Sequence, residues 1–194
     1  EIYTLSLHDA LPIYVTTELV EGFSSEFFIK IQNSKFTTKF QALWGQNLYD
    51  LTMLGGYAVA NVIDTIKNTV SYTPLNTASA WFELQSNGEK VQVGIWAGYT
   101  QNLGSFKDIA FYSNKVNGTD VTIRGADIHS VLRVSPRIVF KSGKLNFALE
   151  CEYTLAKYAT KDQNGVLNRN SKGVITGTND VANIRGLFAV IYNF

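Results

Sequence analysis

Five basic and three acidic residues fall where strand alternation sets them on one face of a sheet: Lys30, Lys39, Glu83, Arg133, Arg137, Glu150, Glu152 and Arg185. Arg133 and Arg137 recur two strand repeats apart and make a small basic ladder beside two glutamates. Charges on the wall of an aqueous passage set the field that a small anionic or polar solute meets. The competing reading is a paired network that stiffens the wall and never touches a solute. Enclosed polar interiors carry such pairs whatever their function, which favours the network. Catalysis is not expected. His129 and Ser130 are neighbours on one predicted strand and should point to opposite faces, whereas a nucleophile needs its base within hydrogen-bond reach. Gly55 and Gly56, in Leu54-Gly-Gly-Tyr57, lack the spacing of a phosphate loop and read as a loop bend. No cofactor and no metal is expected.

Composition narrows the classes. The chain has 194 residues, of which 45% are hydrophobic, 13% aromatic and only 17% charged. A chain this apolar can offset its ordering entropy by burial, so disorder is excluded. No run approaches the ~18 apolar residues of a membrane helix. A net charge of +1 makes nucleic acid an unsuitable partner. Cys151 is the single cysteine, which excludes an internal disulfide and a multi-cysteine metal site.

Residues 1–13 read Glu-Ile-Tyr-Thr-Leu-Ser-Leu-His-Asp-Ala-Leu-Pro-Ile. This resembles the in-frame translation of a short-read sequencing adapter, which implies a gene fragment whose reading frame opens inside adapter sequence. The segment is set aside from the fold, and His8 and Asp9 with it. The alternative is a genuine N-terminal strand. Without Glu1 and Asp9 the acidic residues fall from 16 to 14 against 17 basic ones.

The remainder, 14–194, reads as one all-β domain, because apolar and polar residues alternate with period two. Seven strands are predicted: Glu26 to Gln32, Lys35 to Trp44, Thr77 to Gln85, Lys90 to Thr100, His129 to Phe140, Leu145 to Tyr158, and Val181 to Phe194. Tight turns lie at Asn33-Ser34, at Asn87-Gly88 and at Ser142-Gly143. Asn-Gly between alternating strands is the strongest short hairpin signal. Long connections run from Gly45 to Asn76, Gln101 to Ile128 and Ala159 to Asp180. Tight and long connections alternate, so all the long ones should share one end of the sheet.

The faces follow from these registers. A Ser142-Gly143 loop predicts apolar pairs Phe140–Leu145, Ile138–Phe147, Pro136–Leu149, Val134–Cys151 and Leu132–Tyr153. Behind them it sets Arg133 against Glu152 and Ser135 against Glu150, with Arg137 diagonal to Glu150. An Asn87-Gly88 turn sets Trp81 opposite Gly94 and Trp96 opposite Ser79. The connection from Gly45 to Asn76 is too apolar for a fully solvated loop. It is expected to fold inward, to cover a neighbouring subunit, or to hold a small satellite core, with a helical turn at Asp64 to Asn68.

The chain ends with Phe188, Val190, Tyr192 and Phe194 at every second position. This resembles the terminal signal that the barrel-assembly machinery reads in bacterial outer-membrane proteins. With the loop asymmetry, the stretch from about Glu26 to Phe194 resembles porin-type outer-membrane proteins. The segment from Arg133 to Tyr153 is similar to porins of the Bacteroidota, of the DcaP-like type. The resemblance implies an antiparallel up-and-down transmembrane β-barrel, of which this is a C-terminal portion of about seven strands. It implies outer-membrane lipid around the wall, Cys151 facing lipid, short turns in the periplasm, passive diffusion of small solutes, and often a homotrimer. Such barrels have even strand numbers, so at least one strand lies outside the seven. Two open edges predict that the isolated chain aggregates or forms an incomplete barrel. The alternatives are the barrel end of a TonB-dependent transporter, a structural or adhesive barrel, and a soluble ligand-binding β domain.

Overall fold

The computed structural model describes residues 19–52, 54–65, 69–110, 113–116, 119–122, 125 and 127–194, with backbone only for 113–122. Residues 1–13 lie outside them. The strands in chain order are β1 (Ser24–Gln32), β2 (Phe36–Gln46), β3 (Gly56–Asp64), β4 (Thr69–Ser86), β5 (Val91–Ser105), β6 (Ser113–Val116), β7 (Thr119–Thr122), β8 (Ile128–Ser142), β9 (Leu145–Ala159) and β10 (Thr178–Tyr192). One short helix, α1 (Tyr49–Thr52), sits between β2 and β3.

The main sheet is antiparallel, up-and-down and eight-stranded, in the order β1-β2-β4-β5-β8-β9-β10, with β3 paired to β4 off this path. All seven expected strands are present. The eighth comes from the connection between Gly45 and Asn76. There β4 runs 18 residues and begins at Thr69, well before the expected Thr77, and β3 pairs with the extra length. The helical turn expected from Asp64 to Asn68 falls largely outside the described residues: Asp64 ends β3, and residues 66–68 are not described. Of the readings for this connection, the satellite core matches. Leu54, Val59 and Leu75 are among the most deeply buried side chains of the described protein. The sheet is not closed; β1 and β10 are its edges, and every residue in both is exposed.

Burial is inverted relative to an ordinary soluble sheet. One lateral row carries Ile29, Phe40, Phe82, Ala97, Val134, Tyr153 and Ile184, each paired with the next across the strands. That face is open: Leu149 is 50% and Ile184 is 73% exposed. The opposite, polar face is sheltered, with Glu83 and Glu152 each only 8% exposed. Side chains normally found outside are inside, and the reverse.

The two ends differ as expected. At one end the turns are stapled by backbone bonds: Asn87 N–H to Lys35 C=O, Lys141 N–H to Lys90 C=O, and Asn193 N–H to Lys144 C=O. At the other end the long connections hold one another. Ala110 N–H donates to Val59 C=O, Ser105 N–H to Lys172 C=O, and Ile109 N–H to Ser171 C=O. The last connection also contains a tandem repeat that sequence reading missed. Asp162-Gln-Asn-Gly-Val and Asn170-Ser-Lys-Gly-Val each use the first side chain to accept two backbone N–H groups. Asp162 takes those of Asn164 and Val166; Asn170 takes those of Lys172 and Val174.

All three hairpin registers differ from expectation, each by an even number of residues. At the β8–β9 turn Ser142 pairs with Leu145, so the loop is Gly143-Lys144. Phe140 therefore meets Phe147, Ile138 meets Leu149, Val134 meets Tyr153 and Leu132 meets Leu155. Gly143 has φ 60° and takes the first central position, where a type II′ turn needs a positive φ. At the β4–β5 turn Asn87-Gly88 does not form the two-residue turn. Asn87 is engaged by the neighbouring hairpin: its Nδ2 donates to Asn33 C=O and its Oδ1 accepts from Thr37 Oγ1. The loop lengthens, and Trp81 meets Gly98 while Trp96 meets Glu83. In the first hairpin, Asn33 Oδ1 accepts the N–H groups of Lys35 and Phe36, which centres the turn on Ser34-Lys35.

A methyl at Gly143 would meet no atom within 4 Å, so substitution there isolates backbone strain. Gly143→Ala should cost about 1–2 kcal/mol, and Gly143→Asn should recover most of it, because Asn tolerates this region. Denaturant midpoints of the two variants measure the difference.

Candidate functional site

The eight charged residues singled out above share the polar face. Lys30 stands opposite Lys39 and Lys39 opposite Glu83. Glu83 is opposite Trp96, and Trp96 opposite Ser135. Farther along, Arg185 is opposite Glu152. Arg133 and Arg137 lie on either side of Ser135 along β8, and Glu150 lies two residues before Glu152 on β9.

Six of the eight gather into two clusters. In the first, Glu83 accepts Lys39 Nζ at 3.4 Å and Arg137 Nη2 at 2.5 Å. In the second, Glu152 accepts Arg185 Nη2 at 2.8 Å and also pairs with Arg133. Each carboxylate is shared by two cations, so each cluster keeps one positive charge over. The remaining two stand apart. Lys30 faces a like charge on the exposed edge strand. Glu150 is directly opposite Arg137, not diagonal to it, yet Arg137 turns away to Glu83 and to Gln85 Oε1 at 2.5 Å. Arg133 is in register with Thr154 and reaches Glu152 diagonally.

Glycines explain both reaches. Arg137, Gly94 and Gln85 are laterally aligned on β8, β5 and β4. With no side chain at Gly94, the guanidinium crosses β5 and lands on β4. A Cβ there would meet Arg137 Nε at 3.3 Å. Likewise the Trp96 benzo ring covers the place a Cβ at Gly98 would take. Trp96 there lies beside Trp81, with ring centroids 6.4 Å apart, and 5.6 Å from the Arg133 guanidinium. Phe28 continues the aromatic group 6.2 Å from Trp81. The Trp81 indole N–H donates to Gln41 Oε1, and Gln41 Nε2 donates to Glu26 at 2.5 Å. Gln41, Gln85 and Phe28 were not singled out from sequence as candidates, and Trp81 and Trp96, expected on this face beside small residues, were not expected to meet. The alternation of Gly94, Trp96 and Gly98 on one face was the available signal. Ser135 Oγ and Arg133 Nε are buried without a hydrogen-bond partner.

The expected separation of His129 from Ser130 is not found. His129 Nδ1 lies 3.1 Å from Ser130 Oγ, so the two side chains do meet. A β-bulge between Ile128 and Ser130 breaks the alternation there. Ser130 is 2% exposed. Among the described residues no group of His, Cys, Asp or Glu is placed to hold a metal ion. Cys151 is exposed on the apolar face, opposite Gly186. Phe188, Val190 and Tyr192 share that face with Leu149, Phe147 and Leu145. Phe194 lies beyond the strand, its ring 5.2 Å from that of Tyr192.

Two variants test this wiring. Glu83→Gln strands two cations beside a mostly buried site and should cost about 1–3 kcal/mol, discounted from a fully buried pair because Arg137 and Lys39 are partly solvated. Glu150→Gln should stay within about 0.5 kcal/mol. Denaturant unfolding ranks them. Gly98→Ala should displace Trp96 and weaken the near-ultraviolet circular-dichroism signal of the Trp81–Trp96 pair. No family model, no curated protein and no solved structure matches the chain.

Proposed function

We propose that this chain is part of the wall of a transmembrane β-barrel in a bacterial outer membrane, and that the barrel is a porin passing small polar or anionic solutes by diffusion. The observation that carries the reading is the inverted burial. Large apolar side chains such as Phe27, Leu149 and Phe188 face outward while Glu83 and Glu152 are sheltered. Water penalises that arrangement and hydrocarbon rewards it. On β8 the outward apolar positions run from Leu132 to Phe140. That is roughly 27 Å along the strand and roughly 20 Å when tilted by ~40°, close to the ~25 Å apolar band of such barrels. Short turns at one end and long, folded connections at the other fit the same reading, as does the C-terminal pattern through Phe194. The two clusters, each with a cation in excess, suit anionic or polar solutes in the lumen. The porin reading further implies insertion by the barrel-assembly machinery and a homotrimer.

One observation favours a second reading, the barrel end of a TonB-dependent transporter whose lumen is filled. Toward its C-terminal end β10 is apolar on both faces. Leu187 and Ile191, on the polar side of the sheet, are 39% and 47% exposed. A filled lumen would cover them.

Tryptophan position gives the test. Trp44 pairs with Ala78 on the outer face, while Trp81 and Trp96 lie on the polar face. In vesicles with brominated acyl chains, Trp44 fluorescence should be quenched, and the Trp44→Phe variant should lose that quenching. Aqueous iodide should quench what remains. A chain that stays monodisperse in buffer without detergent and shows no lipid quenching is a soluble β domain. Solute flux through the same vesicles then separates an open porin from a filled barrel.

A further inference from the structure

We propose that the turn end of the sheet docks on an anionic lipid headgroup layer through Lys35, Lys90 and Lys144; this rests on the membrane reading above. The three lysines hold equivalent places. Each immediately precedes a strand leaving the turn end: β2 begins at Phe36, β5 at Val91 and β9 at Leu145. Each backbone carbonyl accepts an N–H from the next turn along the rim, from Asn87, Lys141 and Asn193 respectively. The turns thus hold one another in line, and all three lysines are exposed.

Each lysine is followed by an exposed apolar residue, Phe36, Val91 or Leu145. Each lysine thus sits one residue beyond the turn-end margin of the apolar face. Lys144 Nζ lies 5.9 Å from the centre of the Tyr192 ring, which belongs to that face. An aliphatic stem on hydrocarbon with its charge at headgroup depth is the arrangement long cationic side chains favour at a membrane boundary. In the sheet order β4 separates β2 from β5, and β8 separates β5 from β9. Neighbouring lysines are thus two strand spacings apart, ~9–10 Å. Lys141 adds a fourth, half-buried cation, and Glu89 is the one carboxylate side chain among the described turn residues. The opposite end carries Asp108, Asp162 and Asp180 among its lysines. The ends thus differ in charge, and the lysine-rich end matches phosphate-bearing lipid.

The test compares the full chain in vesicles of phosphatidylcholine with vesicles containing phosphatidylglycerol. Co-sedimentation reads partition, and quenching by brominated chains reads insertion. A lysine at an anionic surface contributes roughly fivefold in partition, so the three together should give on the order of 100-fold, falling with added salt. The Lys35→Gln/Lys90→Gln/Lys144→Gln variant should lose most of this preference and still insert in phosphatidylcholine. Lys107→Gln/Lys161→Gln/Lys172→Gln, with the same change in net charge at the other end, should keep it. Far-ultraviolet circular dichroism checks folding, and single Lys144→Gln gives a milder step. Insertion without preference for phosphatidylglycerol overturns the docking proposal alone, as does equal loss in both triple variants. Absence of insertion in every vesicle overturns it together with the membrane reading.

Discussion

Strand alternation is the constraint on which the rest of the structure depends. Successive side chains point to opposite faces, so any register shift by an even number of residues keeps each residue on its own side. The three hairpins pair differently from expectation by two, four and two residues in chain order. Their faces are unchanged. Seven strands can therefore align into one apolar and one polar surface even where individual partners are hard to foresee. The bulge between Ile128 and Ser130 breaks the rule locally, and there His129 and Ser130 meet.

On the polar face the energetics hinge on two carboxylates. Glu83 and Glu152 are largely shielded from water, and each would be costly to bury alone. Two cations apiece offset that cost. Absent side chains shape this face: Gly94 lets Arg137 cross a strand to Glu83, and Gly98 makes room for Trp96 beside Arg133. Stiffness of the sheet and charge of its polar face are thus properties of the same residues. A network that holds neighbouring strands together also leaves a cation in excess in each cluster, and the structural and selective readings need not compete.

Direction limits how the sheet can be completed. The seven strands of the main path alternate in direction, so β1 and β10 run the same way. Antiparallel pairing cannot join them directly. Both edges keep unpaired backbone groups, which further strands or a second copy of the chain could pair. Meanwhile the most buried apolar side chains of the described protein gather toward the long-connection end: Leu54 just before β3, Val59 within β3 and Leu75 within β4.

All-β class, the seven strands, their faces, the grouping of long connections at one end and the charged residues of the polar face were legible from sequence, because each rests on period-two alternation or on turn residues close in the chain. Partner choice was not. Asn87 carries a strong local hairpin signal, yet bonds to Asn33 and Thr37 on another hairpin outweigh it. Arg137 abandons its register partner Glu150 because a glycine on the intervening strand β5 opens a path to Glu83. β3 emerges only because β4 continues far enough to offer it an edge. For Asn87 and Arg137 the deciding atom belongs to a residue distant in sequence, and only the folded sheet brings it within reach.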